Sequence, residues 1–521
     1  MKNLLFALLF FSFNYGNSQT YTWAVTDSSY QGSIGARAKV AQDNEGNLVV
    51  AYAPLNHVSY TNGIHIIKYN KFHTVQWKQT ITAPKIGQTD IAMCTDMSGN
   101  IYVTGCFIDS LFVDSVLRTT VNNRNMFLIK LNSQGVFQWE KHSTGDACGV
   151  SLSTDSQNNV YVSGGINNYA YFDTNYLSIE DGIRTFIAKY SSNGLLLWVK
   201  GISPLGGKCR LKTDNVGNAY VTGMFNFTAQ FGNTTLVATD PTHYGAFDTY
   251  IAKIDASGNW LWAIKAGGSG DDEPADLYLD AQNNMYITGH TGSESATFGD
   301  ITITNPPYSD NYYAAKYDST GNALWAVSGG GPNAFGKQIC ADKQGNAYLS
   351  YHGLYLSKYD VYGNLVWSQS KPHTAILDMV ADDSGSVYIT GFFSTTVSFD
   401  SYTFAASQRQ MYVAQLYDPS PITTGVQTFI TAQPAIFTVF PNPGSGVFTI
   451  RITAEKPAVY TCTISSISGQ TVYTETLQAA DTYSKQVNLS DLPKGSYYAN
   501  LYYGSSADKK QLKECRKIVI Q

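Results

Sequence analysis

The sequence predicts an all-β protein: a seven-bladed β-propeller of four-stranded antiparallel blades, followed by a small β-sandwich domain. Three observations lead there. A phrase close to Asp-x-x-Gly-Asn-x-Tyr-Val-Thr-Gly returns seven times, led by Asp43, Asp96, Asp155, Asp214, Asp280, Asp342 and Asp382. A second phrase runs from a Lys through a turn to a Trp nine residues later, at Trp77, Trp139, Trp198, Trp262, Trp325 and Trp367. Both phrases vanish after Asp418, where a new pattern of short alternating segments begins. A unit recurring every few tens of residues marks a repeat architecture.

Each unit divides into four strands. In the fifth copy they are near "ADLYLD", "NMYITG", "YYAAKYD" and "ALWAVS". Residues alternate at period two, as a half-buried strand requires. Asp in each phrase opens a turn by bonding its own backbone, and Gly supplies the left-handed residue that closes a hairpin. A calcium loop of the EF-hand type would need Glu at position 12, but counting from Asp255 that place holds Ala266. A blade cannot bury both faces alone, so the units are expected to stack in a ring. The seventh unit has no Trp strand, whereas the segment "TYTWAVT" near the N-terminus carries Trp23 with no partner. That segment is expected to complete the last blade and remove the free edge.

The loops after the second strand vary, and five carry a Phe-led insert, anchored by Phe112, Phe172, Phe231, Phe298 and Phe399. They read as extra hairpins on one face of the ring, where ligand binding is expected. His290 and His352 each stand ten residues after a repeat Asp. Neighbouring blades are expected to hold them too far apart to share an ion. The acidic run Asp271, Asp272, Glu273 and Asp276 reads as a solvated turn between blades. No metal site, cofactor or catalytic set is assembled from these residues, and the HExxH, GxSxG, P-loop and dinucleotide motifs are missing from the sequence.

Charged residues are 14% of the chain and the net charge is -5, with no basic run that would attract nucleic acid. The first residues read as a secretory signal, with Lys2, an apolar stretch from Leu4 to Phe13, and small Gly16 and Ser18 before a cut at Gln19. No later stretch reads as a membrane-spanning helix. Seven cysteines are an odd count, and Cys94 and Cys340, both two residues before a repeat Asp, read as buried small side chains. The expected division is a signal peptide at 1–18, a propeller at 19–418, a linker at 419–434 and a C-terminal domain at 435–521.

The repeat phrases resemble the secreted bacterial propeller repeats called SBBP repeats, over roughly residues 20 to 418. The C-terminal stretch resembles the type IX secretion sorting domain of the Bacteroidetes, in its type A form. That resemblance rests on Pro441-Asn442-Pro443 with Gly446, on Ser468-Gly469-Gln470, on Leu489 through Tyr497 with Pro493 and Gly495, and on the ending Lys517-Ile518-Val519-Ile520. It implies export across both membranes with the type IX machinery as partner, then release or attachment at the cell surface. Cys462 and Cys515 lie outside its pattern and read equally as a disulfide or as two buried thiols. The chain is therefore expected to be a non-enzymatic binding or adhesion module with a glycan or surface-protein ligand. Two other classes stay open: a secreted polysaccharide-active enzyme of a propeller class, and a structural surface or matrix protein.

Overall fold

The computed structural model describes residues 19–418 apart from 28–36, 54–62, 84, 87–90, 115, 120–123, 180–183, 203–208, 244, 308, 332, 354 and 408, and residues 436–520 apart from 441–443, 454–457, 467–470, 480–481 and 504–510. The expected signal peptide at 1–18, the expected linker at 419–434 and the loop of the first unit that follows its second strand lie outside the described residues. The chain divides into two compact units, at 1–421 and 422–521.

The first unit holds seven antiparallel sheets with a common four-strand order. The first blade runs Arg37–Gln42, Leu48–Ala53, Ile64–Tyr69 and Val75–Ile81. The fifth runs Asp272–Leu279, Met285–Thr291, Asn311–Tyr317 and Ala323–Gly329. The innermost strands neighbour one another in cyclic order, with Arg37–Gln42 beside both Ala92–Thr95 and Thr374–Ala381. In the last blade the outermost strand is Thr20–Thr26, paired antiparallel to Gln410–Tyr417. The fold is thus a β-propeller closed by strands from both ends of its own segment.

The hairpin turns follow from the Asp-x-x-Gly-Asn phrase. At Asp43, Oδ1 accepts the N–H groups of Glu45 and Asn47, at 3.0 and 2.9 Å, and Oδ2 accepts the Asn47 amide at 2.9 Å. The same three bonds recur at Asp155, Asp280 and Asp342. Gly46 N–H donates to the Asp43 carbonyl and Asp43 N–H to the Asn47 carbonyl, which is a type I turn closed by one left-handed residue. Gly217 and Gly258 occupy that place at φ +87° and +86°, and Asn158 and Asn283 adopt it at +60° and +63°.

In four blades the Lys and the Trp together grip the next blade, and in two more one of the two is bonded across, Lys253 to the Ser319 carbonyl and Trp325 to the Val361 carbonyl. Trp139 Nε1 and Lys130 Nζ both donate to the Ser192 carbonyl, at 3.0 and 2.9 Å, in the turn between the third and fourth strands of the following blade. Trp77 with Lys68 does the same at Ser133, and Trp198 with Lys189 at Ala256. The glycine of the gripped turn lies flat under the indole: a Cβ at Gly135 would stand 2.9 Å from Trp77, and one at Gly363 2.9 Å from Trp325. The last blade has no such turn, because its fourth strand comes from the N-terminus. Asp418 stands in for the missing carbonyl, its Oδ2 accepting Lys358 Nζ at 2.6 Å and Trp367 Nε1 at 3.0 Å. At the remaining junction Trp23 pairs with Gln415, as each other Trp pairs with its Lys, and stacks on His73 at 4.2 Å. His73 takes the glycine's place in the first blade's turn, at φ +65°. Trp23 is half-buried, and Tyr21 and Ala24 of the same strand, 6% and 5% exposed, join the core of the last blade.

The five inserts are hairpins with two-residue turns. Phe172, Phe231, Phe298 and Phe399 are buried and pack on Phe186, Tyr250, Tyr313 and Tyr412, at 4.5 to 5.0 Å between ring centres. Phe112 is a correction, because it is 41% exposed and the buried residues of its hairpin are Leu111 and Val113. The turn residues show why: Asp173, Gly232, Gly299 and Asp400 follow the Phe at φ +51° to +60°, whereas in the first insert Asp114, at +46°, follows Val113. The anchor position there belongs to Val113, and Phe112 faces the other way. The repeat Gly is explained by the same ring: Gly105 lies under Phe127, at 3.1 Å from where its Cβ would be.

Cys106 and Cys148 form a disulfide that joins the second strand of one blade to the inner strand of the next. No other unit carries cysteines at these two offsets from its turn Asp. Closing a loop across a separation of 42 residues stabilises the fold by about 4 kcal/mol in the chain-entropy account. Cys94, Cys209, Cys340 and Cys462 are free thiols.

The second unit has a three-stranded sheet, Ile436–Phe440, Val447–Thr453 and Thr482–Asn488, and a four-stranded one. The latter is ordered Thr471–Ala479, Ala458–Ser466, Gly495–Tyr503, Gln511–Ile520. Both sheets feed one core, including Phe437, Ile450, Ile464, Leu501 and Ile518. The strands carrying Cys462 and Cys515 are separated by Gly495–Tyr503.

Replacing Asp418 by Ala leaves Lys358 buried without its anion, which typically costs about 3–5 kcal/mol. Asp418→Asn keeps an acceptor for Trp367 and is expected to lose less. Denaturant unfolding of the two variants checks the order, and equal stability of D418A and the native chain would contradict the closure described above. Gly258→Val is expected to be less stable than Gly258→Asn by about 1–3 kcal/mol, because a β-branched residue resists φ +86°.

Candidate functional site

The repeat's polar residues are taken up by the ring itself. Tyr102, Tyr161, Tyr286 and Tyr348 are buried, and each hydroxyl donates to its own turn Asp, at 3.1 to 3.4 Å. A Lys ammonium lies over each of these rings, at 4.6 to 5.4 Å from the centre. Burial, followed by the nearby Asp charge, pushes these phenols far above the usual range. Burial lowers Lys130 and Lys316, with adjacent Asp carboxylates opposing it. Burial alone would raise the Asp43 carboxyl, but its bonds to Asn47 and Lys68 hold it below the ordinary value. These tyrosines are packing, and none is offered to a ligand.

A second set stands four residues before the repeat Asp, on the innermost strands. Asp378 Oδ2 accepts Val40 N–H at 2.9 Å and lies 3.5 Å from Lys39 through Oδ1. Asp276 Oδ2 accepts Ile339 N–H at 3.0 Å, and Ser151 Oγ accepts Leu211 N–H at 3.1 Å. Arg210 bridges to the carbonyls of Val150 and Ala275, at 3.0 and 2.8 Å. Each of these side chains bonds the backbone of a neighbouring blade. This set was missed in the sequence because its residue types differ from unit to unit, and only its offset from the turn Asp repeats.

The inserted face carries the exposed variety. Tyr171 and Tyr176 on one hairpin are 41% and 48% exposed, with ring centres 5.0 Å apart. His290 and His352 are each engaged with Phe335: the His290 ring meets its edge at 4.8 Å, and His352 N–H donates to its carbonyl at 3.1 Å. His290 Nε2 also lies 3.8 Å from Asp271. Among the described residues no three His, Cys, Asp or Glu side chains come together as metal ligands. The acidic run is not a solvated turn. Asp272 is 0% exposed and opens a strand, and Asp276 holds the next blade.

In the second unit, residues of the motif read from the sequence build the turn that starts a core strand. Leu489 is buried and Leu492 packs on the core. Tyr497 Oη donates to the Pro493 carbonyl at 2.8 Å, and Gly495 takes φ +153°. Gly446, at φ +98°, passes so close to Ser490 that a Cβ would stand 2.5 Å from its Cα, while its carbonyl accepts Leu489 N–H at 2.6 Å. Gly444 N–H donates to the Val519 carbonyl, which ties down the last strand. Lys517 lies in that strand opposite Tyr498. Pro441, Asn442, Pro443 and Gly469 lie outside the described residues.

These two units define a class: a β-propeller carried by a chain that ends in a secretion sorting domain. More particularly, residues 438–521 match the family described as "Secretion system C-terminal sorting domain". Among curated proteins, the uncharacterized WD repeat-containing protein L264 of Acanthamoeba polyphaga mimivirus is 24% identical over 335 residues. That match takes in 50% of this chain and 24% of the relative, so the chain spans about a quarter of that protein's length. Among solved structures, the Dos1 propeller has a TM-score of 0.41 at 11% identity, covering 76% of this chain and 95% of that one. The Neurospora crassa Pan2 WD40 domain has a TM-score of 0.41 at 12% identity, covering 77% and 96%. A protein of unknown function from Bacteroides caccae has a TM-score of 0.33 at 10% identity, covering 59% and 89%. None of these likenesses bears on ligand or activity. No helix among the described residues is long and apolar enough to cross a membrane.

Gly446→Ala forces a Cβ against the Ser490 backbone and a side chain into a left-handed conformation. Its expected outcome is a second unit that unfolds at lower denaturant while the propeller transition stays in place, checked by unfolding the full chain with probes on each unit.

Proposed function

We propose that this protein is an exported propeller that binds a glycan or a surface protein through its inserted face, with the C-terminal domain directing type IX secretion. The observation that carries the export reading is the sorting-domain match at 438–521. The binding reading rests on the contrast between ring and inserts. The repeat Lys, Trp, Tyr and Asp are spent on holding blades together, and the hairpins are fixed by buried anchors while presenting exposed side chains such as Tyr171 and Tyr176. Aromatic faces in that setting suit sugar rings. The reading makes the protein a binding module and assigns it no catalytic step.

Export is tested by cell fractionation of a chain ending near Pro434, which is expected to fold and accumulate in the periplasm. Normal arrival of that chain at the surface would remove the sorting role. Binding is tested on a glycan array with the native chain and with Tyr171→Ala and Tyr176→Ala. Each truncation of an exposed aromatic contact is expected to weaken binding roughly tenfold, from about 1–2 kcal/mol. Release of shortened saccharides from a polysaccharide panel would instead favour an enzyme.

A further inference from the structure

Two acids meet at the junction of the fourth and fifth blades where the repeat asks for none. Asp248 opens the third strand of the fourth blade, Asp248–Ile254, and Asp272 opens the inner strand of the fifth. They are 1% and 0% exposed. At the place of Asp248, two residues before the aromatic of the third strand, other blades carry Asn125, Arg184, Asn311 and Gln410. The acid pair is therefore a feature of this junction and not of the repeat.

Each carboxylate has one oxygen engaged. Asp248 Oδ2 accepts the Thr239 N–H and hydroxyl, at 2.6 and 2.9 Å, and lies 3.6 Å from Lys265 Nζ. Asp272 Oδ2 accepts Gly268 N–H and the Ser293 hydroxyl, both at 2.7 Å. The Oδ1 atoms of both are buried with no hydrogen-bond partner among the described residues. The two groups converge over the bare Cα of Gly267, at φ +138°: a Cβ there would stand 2.5 Å from Asp248 Oδ1 and 2.8 Å from Asp272 Oδ2. The Thr291 hydroxyl stands beside the Asp272 carboxylate and favours its charged form.

We propose that this junction is a calcium site, with Asp248 and Asp272 as its carboxylate ligands and Gly267 leaving the room between them. Both carboxylates border the gap over Gly267, and a cation held there would be attracted by both. Lys265 answers only one, and from the side of Asp248 that is already bonded. The unpartnered ligands are hard, buried carboxylate oxygens, which suits Ca2+. Mg2+ gives up its water reluctantly, and thiophilic or imidazole-seeking ions have no ligand here. The strand Trp260–Gly268 pairs with the inserted hairpin, Gly267 opposite Thr297, so the ion would fix one of the inserts to the ring. The site does not depend on what the inserted face binds.

Thermal unfolding of the full mature chain at fixed pH and ionic strength tests this. Millimolar Ca2+ against a chelator is expected to raise the melting temperature by about 2–5 °C, the size of a ligand near 100 times its Kd. Mg2+, or Na+ in place of K+, should not do so. Asp248→Asn and Asp272→Asn should lose the response, while Asp300→Asn, in the exposed turn of the adjoining hairpin, should keep it. Calorimetric titration of the native chain with Ca2+ supplies a second readout should the variants fold poorly, and saturable binding is expected. No calcium response in the native chain, an equal response to Mg2+ or Na+, or a response retained in both variants would each overturn the proposal. So would the signature of a shared proton. Burial raises both carboxyls, and the Asp248 charge raises Asp272 further. A shared proton would therefore give stability that grows with acidity, is lost as pH rises through these raised values, and ignores Ca2+.

Discussion

The structure depends on one contact made again and again: a Trp N–H and a Lys ammonium from one blade donating to a single acceptor in the next. The acceptor is a turn carbonyl because the Asp-x-x-Gly-Asn hairpin points that carbonyl out of the blade, and the glycine lets the indole lie against the turn. Both halves of the repeat are explained by this joint. Tyr and Asp hold the buried Lys in place, and charge-assisted hydrogen bonds of this kind are the stronger ones. A blade alone could not keep these groups satisfied, so blade stability is largely the stability of the junctions.

The joint also explains the two places where the repeat breaks. A ring made from one chain must be closed somewhere, and closure costs the last blade its internal turn. Asp418 replaces the lost carbonyl with a carboxylate, which pairs with a Lys that would otherwise be buried and unmatched. At the next junction, between the last blade and the first, His73 replaces a glycine and stacks on Trp23. These substitutions look like repeat decay in the sequence, and in the structure they are what an open end requires.

Much of this was readable from residues alone. Turn chemistry announced itself through Asp, Gly and Asn at fixed offsets, and the missing Trp strand of the seventh unit pointed to "TYTWAVT". The misplaced anchor at Phe112 came from aligning inserts on their most conspicuous aromatic. Aligning them on the left-handed turn residue, Asp114 beside Asp173 and Gly232, would have found Val113. The Cys106–Cys148 link, the inner-strand contacts of Arg210 and Asp378, and the meeting of Asp248 with Asp272 were not readable. They join blades through residues whose types do not repeat, and only the ring brings them together. The sorting domain was readable because Pro493, Gly495 and Tyr497 shape one turn within a few residues, and Gly446, at the start of another strand, is the bare residue that packs against it.

The two ends of the propeller segment are locked into one blade. The measurement is denaturant unfolding of a chain that starts at residue 28, compared with one that starts at Gln19. Losing Tyr21 and Trp23 with their strand is predicted to cost at least about 3–5 kcal/mol, and to expose an edge along Gln410–Tyr417 that promotes association. An unfolding curve that superimposes on that of the intact chain would contradict closure by the N-terminal strand.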